Sequence, residues 1–421
     1  MESIGATALR QTTFLSPLPS PPLPSNDVSS LSHFSPFLFS SRKHSAALSL
    51  KLQKQLRIGD NNVRATNWAK CSATLSDTSS ETSTLADIDW DNLGFGFLPT
   101  DYMYVMKCAR GESFSGGELR RYGNIEMSPA AGILNYGQGL FEGLKAYRTQ
   151  DGNIVLFRPN ENALRMRTGA ERMCMAAPTV EQFLEAVKET VLANERWIPP
   201  TGKGSLYVRP LLMGSGSVLG IAPAPEYTFL IYASPVGNYF KEGLAPINLV
   251  IETDFHRASP GGTGGVKTIG NYAAVLKAHT AAKAKGYSDV LYLDCVHKKY
   301  LEEVSSCNVF VVKDNVITTP AIKGTILPGI TRKSIIDIAR SLGFEVVEQL
   351  VSVDELLSAD EVFCTGTAVV VSPVGSITHM DKRTSFGDGK VGRVAQQLYT
   401  ELTRLQMGIA EDKMDWLVKL K

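Results

Sequence analysis

The chain has 421 residues, more than one typical domain, and 43% of them are hydrophobic, enough for a sizeable core. Its 43 Lys and Arg against 42 Asp and Glu leave a formal charge of +1, which argues against the basic field of a nucleic-acid binder and points to a small-molecule partner. No run approaches the roughly 18 apolar residues of a membrane span, and six scattered cysteines without CxxC or zinc-like histidine spacing argue against a disulfide framework and a metal site.

Residues 1–65 differ from everything after them. Up to Gly59 only Glu2 and Asp27 are acidic, Arg10, Arg42, Lys43, Lys51, Lys54 and Arg57 are basic, and serine and proline crowd positions 16–22. This is the composition of an organellar transit peptide, with more of the plastid than the mitochondrial character, and Val63-Arg64-Ala65 before Thr66 resembles a plastid processing site. A mitochondrial matrix address is the alternative. Residues 66–85 read as a disordered serine and threonine spacer.

Residues 86–236 read as a small N-terminal α/β domain. The alternation from Asp101 to Met106 predicts a strand, and the glycine-rich turn at Gly137-Gln138-Gly139 opens into a second apolar stretch. Asn160 is expected to cap a helix running to Met173, and Thr179-Val180-Glu181-Gln182 has the form of a capping box ahead of Leu184, Val187 and Val191. Ser205 to Leu212 reads as a strand that carries Arg209 among apolar residues, where burial would demand a carboxylate or phosphate partner.

Residues 237–246 read as a connector, and 247–421 as a large C-terminal domain. Strands are expected at Asn248–Ile251 and Asp289–Cys295, a helix from Ala273 to Ala284, and a hairpin around Lys313-Asp314-Asn315. A helix should run from Thr331 to Leu342 and stop at Gly343, and another should bury Val394, Leu398, Leu402 and Leu405. Helices and strands alternate without a strict βαβ rhythm, so the expected class is α+β with two domains.

The stretch Gly261-Gly262-Thr263-Gly264-Gly265-Val266-Lys267-Thr268 presents one amine able to form a Schiff base with a carbonyl. Lysine ordinarily titrates near ~10.4, so the fold or a bound cofactor must lower its proton affinity for it to react. A phosphate-cradling NTPase loop is the rival, with Asp294 as the magnesium aspartate, but Val266 stands where that motif needs its last glycine. Leu327-Pro328-Gly329 delivers the chain into a helix start, and Cys364-Thr365-Gly366-Thr367-Ala368 follows a strand; both are loops suited to a phosphate. Two such loops beside a candidate Schiff-base lysine point to pyridoxal 5'-phosphate rather than a nucleotide.

Together these stretches resemble the branched-chain amino-acid aminotransferases of plant organellar type, class IV enzymes of pyridoxal-phosphate fold type IV, from about Trp90 to Leu420. The resemblance rests on Phe141-Glu142-Gly143, Tyr207-Val208-Arg209-Pro210, Gly265 to Tyr272, Glu302-Glu303-Val304 with Asn308, Leu327 to Arg332, and Gly366-Thr367-Ala368, in that order. It implies that Lys267 is the catalytic lysine and carries the cofactor as an internal aldimine. Tyr272 would meet the ring's phenolic oxygen and Glu303 its pyridine nitrogen. Arg165, the backbone N–H groups of Ile330 and Thr331, and Thr367 would bind the phosphate.

Arg209 and Tyr207, with the N–H groups of Thr367 and Ala368, would take the substrate carboxylate, and Tyr136, Phe141 and Tyr239 would form apolar walls. The implied reaction is a reversible ping-pong transfer of the amino group between L-leucine, L-isoleucine or L-valine and 2-oxoglutarate, by a homodimer in which Gly220-Ile221 reaches the neighbour's pocket. Plastid targeting favours the biosynthetic direction. Val369 and Ser372 stand where mammalian relatives carry a CxxC redox pair, so thiol switching of that kind should be missing. A D-amino-acid aminotransferase or an aminodeoxychorismate lyase would share Lys267 and Glu303 but not the Tyr207 to Pro210 motif.

Overall fold

The computed structural model describes residues 85–237 and 244–421. The transit segment 1–65, the spacer before Leu85, most of the connector, and Tyr239 lie outside the described residues.

The first sheet is antiparallel and is built from β1 (Tyr102–Ala109), β2 (Gly117–Arg121), β3 (Gly139–Phe141), β4 (Leu144–Arg148), β5 (Ile154–Phe157), β6 (Ser205–Gly214) and β7 (Glu226–Val236). β6 and β7 are its spine, because both are nearly continuous apolar runs and pair over their whole length, from Ser205 opposite Val236 to Gly214 opposite Tyr227. A short α1 (Gly132–Tyr136) precedes β3, while α2 (Pro159–Arg172) and α3 (Val180–Ala193) follow β5. In α3 the buried stripe is Phe183, Ala186, Val187, Thr190 and Val191, so Phe183 rather than Leu184 begins the core face. The expected capping box is present, with the Gln182 amide donating to the Thr179 hydroxyl at 3.2 Å and the Thr179 amide to the Gln182 side chain at 2.9 Å.

Asn160 does not cap α2. The cap is Arg158, in the left-handed region at φ 47°, and Asn160 lies exposed in the first turn. Pro159 explains the shift, since a residue with a fixed φ and no N–H suits the first helical position and so fixes the cap one residue earlier. The Arg158 guanidinium then stacks 4.3 Å from the Trp416 ring centroid and pairs with Glu161 at 3.2 Å.

The second sheet is mixed. It comprises β8 (Ile247–Glu252), β9 (Asp289–Leu293), β10 (Leu301–Val304), β11 (Asn308–Lys313), β12 (Val316–Pro320), β13 (Glu345–Gln349), β14 (Glu361–Gly366), β15 (Val370–His379) and β16 (Lys382–Ser385). The order runs β10-β9-β8-β15-β14-β11-β12-β13 with β16 beside β15, and a further pairing of Glu303 with Asn308 joins β10 to β11 and closes six strands into a ring. Two parallel crossovers occur, one through α4 (Gly270–Ala284) between β8 and β9, the other through α5 (Ile330–Ser341) between β12 and β13. Most other neighbours are antiparallel, so the α+β expectation holds. The β11–β12 hairpin turns at Asp314 and Asn315, both with positive φ, as a two-residue turn requires.

After the short α6 (Val353–Leu357), α7 (Arg393–Gln406) lays Val394, Leu398, Leu402 and Leu405 on the core that α5 also covers. The chain then returns to the first sheet as β17 (Leu417–Lys419), paired with β5. Leu398 is fully buried in this core, whereas Leu134 is 62% exposed. Leu398→Ala should therefore cost about 2–5 kcal/mol in denaturant unfolding, and Leu134→Ala less than about 0.5 kcal/mol; equal costs would contradict this placement of the core.

Candidate active site

The segment carrying Lys267 leaves β8 and packs tightly before it reaches α4. A Cβ at Gly264 would overlap the Thr325 carbonyl, and one at Gly265 would crowd Gly324, so the glycines serve close backbone approach. Asp294, the rival motif's magnesium ligand, is a turn anchor that accepts the amides of His297, Lys299 and Tyr300 at 2.6, 3.0 and 2.8 Å. Burial opposes its ionisation, but these amides bring its carboxyl down to about 2.

The segment is stitched to β3 of the other sheet. The Phe141 amide donates to the Lys267 carbonyl at 3.1 Å, the Ile269 amide to the Gly139 carbonyl at 3.1 Å, and the Thr268 hydroxyl to the same carbonyl at 2.9 Å. The Lys267 amine is thereby held at the junction of the two sheets, with Nζ 2.9 Å from the Tyr272 hydroxyl and 4.5 Å from the centre of the Phe141 ring. Burial, reinforced by the charge of Arg165, lowers its pKa to about 8, while burial pushes Tyr272 up to about 12. A neutral amine beside a protonated phenol is therefore accessible near physiological pH.

Behind the amine stands Glu303 on β10, only 2% exposed. Its Oε1 lies 2.7 Å from Arg257 Nη1 and accepts from the Leu327 amide at 2.8 Å. Burial raises its pKa to about 7 against the pull of Arg257 and that amide. Asn308, opposite Glu303, donates to the Leu327 carbonyl at 3.0 Å, and a Cβ at Gly329 would overlap the Asn308 side chain. The Leu327-Pro328-Gly329 turn is thus locked to Glu303 as it enters α5.

No side chain caps α5, so its first amides are free for a ligand. Ile330, Thr331 and Thr367 border a small recess of about 20 Å³, room for one water. Arg165 lies in the neighbouring hollow beside Pro328 and Ile330, with Nη1 donating to the Pro328 carbonyl at 3.1 Å, but its fork is also taken by Glu142, at 2.8 Å from Nε and 2.6 Å from Nη2. Glu142 is fully buried and has this arginine as its charge partner.

On the open side lies a cavity of about 780 Å³, walled by Phe95, Phe141, Tyr207, Arg209, Tyr272 and the 366–368 turn. Arg209 Nη2 lies 3.4 Å from the Tyr207 hydroxyl and the guanidinium stacks on Phe141 at 4.9 Å, while its buried Nε has no partner. No carboxylate pairs with Arg209 among the described residues. Gly143 makes room for Tyr207, whose hydroxyl a Cβ there would overlap.

Lys267, Tyr272, Phe141, Tyr207, Arg209, Thr367 and Ala368 are brought together around this cavity, with Glu303 behind it and Arg165, Ile330 and Thr331 at one side. Tyr136 is not: it is 43% exposed and its hydroxyl donates to the Leu219 carbonyl instead. Sequence reasoning passed over Phe95, Arg257 and the role of Glu142. The only signals were a phenylalanine between two glycines, an arginine ahead of the lysine segment, and a carboxylate inside an apolar run.

A model of the class IV amino-transferases matches residues 139–377. Chloroplastic branched-chain amino acid aminotransferase 2 of Humulus lupulus is 79% identical over 350 residues, which is 83% of this chain and 86% of that protein. Chloroplastic branched-chain-amino-acid aminotransferase 3 of Arabidopsis thaliana is 70% identical over 392 residues, 91% of this chain and 95% of that one. Among solved structures, the Escherichia coli branched-chain amino acid aminotransferase superposes at a TM-score of 0.67 with 30% identity, covering 76% of this chain and 100% of that one.

Competitive acetylation across pH should find Lys267 titrating near 8 and Glu142→Gln lowering it further, because that carboxylate favours the charged amine. A value in the ordinary lysine range would contradict the burial argument. Arg257→Met strands the Glu303 carboxylate and should cost about 3–5 kcal/mol, with partial recovery on adding Glu303→Gln; a stability loss unaffected by the second change would contradict the pairing.

Proposed function

The chain belongs to the class IV amino-transferases, and within them to the branched-chain amino-acid aminotransferases; on that premise we propose that it is a pyridoxal-phosphate-dependent transaminase exchanging the amino group between L-leucine, L-isoleucine or L-valine and 2-oxoglutarate. The observation that carries this reading is an amine of lowered pKa and an arginine without a carboxylate partner, both packed on the aromatic ring of Phe141 in one cavity.

The residues fit the cofactor. Lys267 offers the amine, Tyr272 a hydroxyl 2.9 Å from it, and Glu303 a carboxylate backed by Arg257. The uncapped start of α5, Arg165 beside Pro328, and Thr367 suit a phosphate dianion. Bound pyridoxal phosphate supplies an electron sink for the pair left when the substrate Cα loses its proton.

In this reading Lys267 Nζ takes the proton from the substrate Cα and would deliver it to the C4′ carbon of a bound cofactor, the net shift that amino transfer requires. Tyr272 orients the ring through its phenolic oxygen, and Glu303 keeps a proton on the ring nitrogen, which Arg257 assists by favouring the ionised carboxylate. Arg209 and Tyr207 receive the substrate carboxylate with the amides of Thr367 and Ala368. The walls Phe95, Phe141 and Tyr207 exclude water and accept a branched aliphatic side chain. The proposed division is into two domains, 86–236 and 247–421, with the cavity between the two sheets and β17 crossing back from the second segment to the first sheet.

A homodimer is part of the proposal. Leu219 and Ile221 are 91% and 92% exposed, and Leu134 and Tyr136 lie exposed close by, the Tyr136 hydroxyl bonding to the Leu219 carbonyl. A second copy covering them would bring Ile221 to its neighbour's cavity. The plastid is the proposed compartment, on the composition of residues 1–65 and the chloroplastic relatives.

Lys267→Ala should fold and lower kcat for leucine by roughly 10⁴-fold or more, since the segment is held by backbone bonds and not by the amine; an active variant would overturn the role of Lys267. Arg209→Ala should lower kcat/KM by about 10²-fold with cofactor still bound. An unchanged kcat/KM would remove Arg209 from the carboxylate site.

A further inference from the structure

Lys145 lies on β4 directly across from Tyr207, yet the chemistry above makes no use of it. It is 8% exposed, and its ammonium donates to the Ala368 carbonyl at 3.0 Å. No carboxylate pairs with it among the described residues. An ammonium buried against a single carbonyl is costly, and burial alone lowers its pKa to about 8.

The carbonyl it holds belongs to an unusual turn. β14 and β15 pair as far as Gly366 and Val370, which leaves residues 367–369 as a three-residue hairpin loop. Such loops end on a left-handed residue that is ordinarily glycine. Here the left-handed residue is Val370, the first of β15 and the partner of Gly366, at φ 61°, a strained conformation for a β-branched side chain. The same hairpin has few other polar anchors, since the buried hydroxyls of Thr365 and Ser372 have no partner. The turn forms the cavity wall at Gly366, Thr367 and Ala368.

We propose that Lys145 is a positioning residue for carboxylate recognition: its ammonium, carried on the sheet that also carries Tyr207, tethers the Ala368 carbonyl and keeps the strained turn in the cavity wall where the substrate carboxylate binds. The inference rests on the functional reading above and deepens it. Because the tether acts on the group common to all amino and 2-oxo acids, it affects every substrate alike and is blind to the side chain.

The test uses the holoenzyme and 4-methylvalerate, an unreactive carboxylate with the carbon skeleton of leucine, titrated through the absorbance of the bound cofactor. Lys145→Met should weaken 4-methylvalerate binding and raise KM for leucine and glutamate alike by about tenfold, with cofactor affinity within about twofold of the parent. Lys145→Arg, which retains a donor, should recover most of the loss. If Lys145→Met does not fold, Val370→Gly probes the turn directly: it frees the backbone that the tether holds, so binding of 4-methylvalerate should weaken, while loss of the buried valine side chain lowers Tm.

Unchanged 4-methylvalerate affinity in the variant that folds would overturn the tether. So would an equal loss in Lys145→Arg, or a loss confined to cofactor affinity, which would assign Lys145 to the phosphate instead. A wild-type protein that fails to turn over leucine would overturn the functional reading itself, so the two failures are distinguishable.

Discussion

The backbone stitching between the Lys267 segment and β3 is the constraint on which the site depends. Two amide bonds and the Thr268 hydroxyl fix the lysine at the meeting of two separately built sheets. That position is buried enough to lower the pKa of the amine, yet open to a cavity large enough for a cofactor and a substrate together. Neither sheet alone would do this, because an amine on an isolated sheet face would be hydrated and charged.

The charges follow from the same burial. Glu142 and Glu303 are each buried beside an arginine, so two of the cations near the cavity are already balanced by carboxylates. Lys267 and Arg209, which line the cavity, are not so balanced among the described residues, and neither is Lys145 behind its wall. What is left facing the cavity is a net positive lining with aromatic walls, the electrostatic complement of an amino acid's carboxylate and a phosphate. The buried pairs also orient: Glu142 fixes the Arg165 fork beside Pro328, and Arg257 with the Leu327 amide fixes the Glu303 carboxyl behind the lysine.

How much of this was legible in the sequence depended on whether the determinant was local. The capping box at Thr179, the two-residue hairpin turn at Asp314 and Asn315, and the apolar stripe of α7 are read from neighbours a few residues apart, and they appear as expected. The cap of α2 was misplaced because the proline rule outranks the preference of asparagine for caps. β17 left no trace, being three residues whose pairing is set by β5, on the far side of the second sheet in chain order. Arg257 was missed for the same reason, since only folding brings it to Glu303. Tyr136 was assigned to the apolar walls through the family resemblance, and its side chain turns instead to the Leu219 loop.

The most direct measurement is the half-reaction: the protein from Thr66 onward, loaded with pyridoxal phosphate, mixed with L-leucine in the absence of any 2-oxo acid and followed by visible absorbance. If Lys267, Glu303 and Arg209 act together as described, the cofactor band should disappear as one equivalent of 4-methyl-2-oxopentanoate is released, and should return on adding 2-oxoglutarate. A bound cofactor whose spectrum ignores leucine but answers to a D-amino acid would contradict the assignment of the cavity to branched-chain L-substrates, and no cofactor band at all would contradict the role given to Lys267.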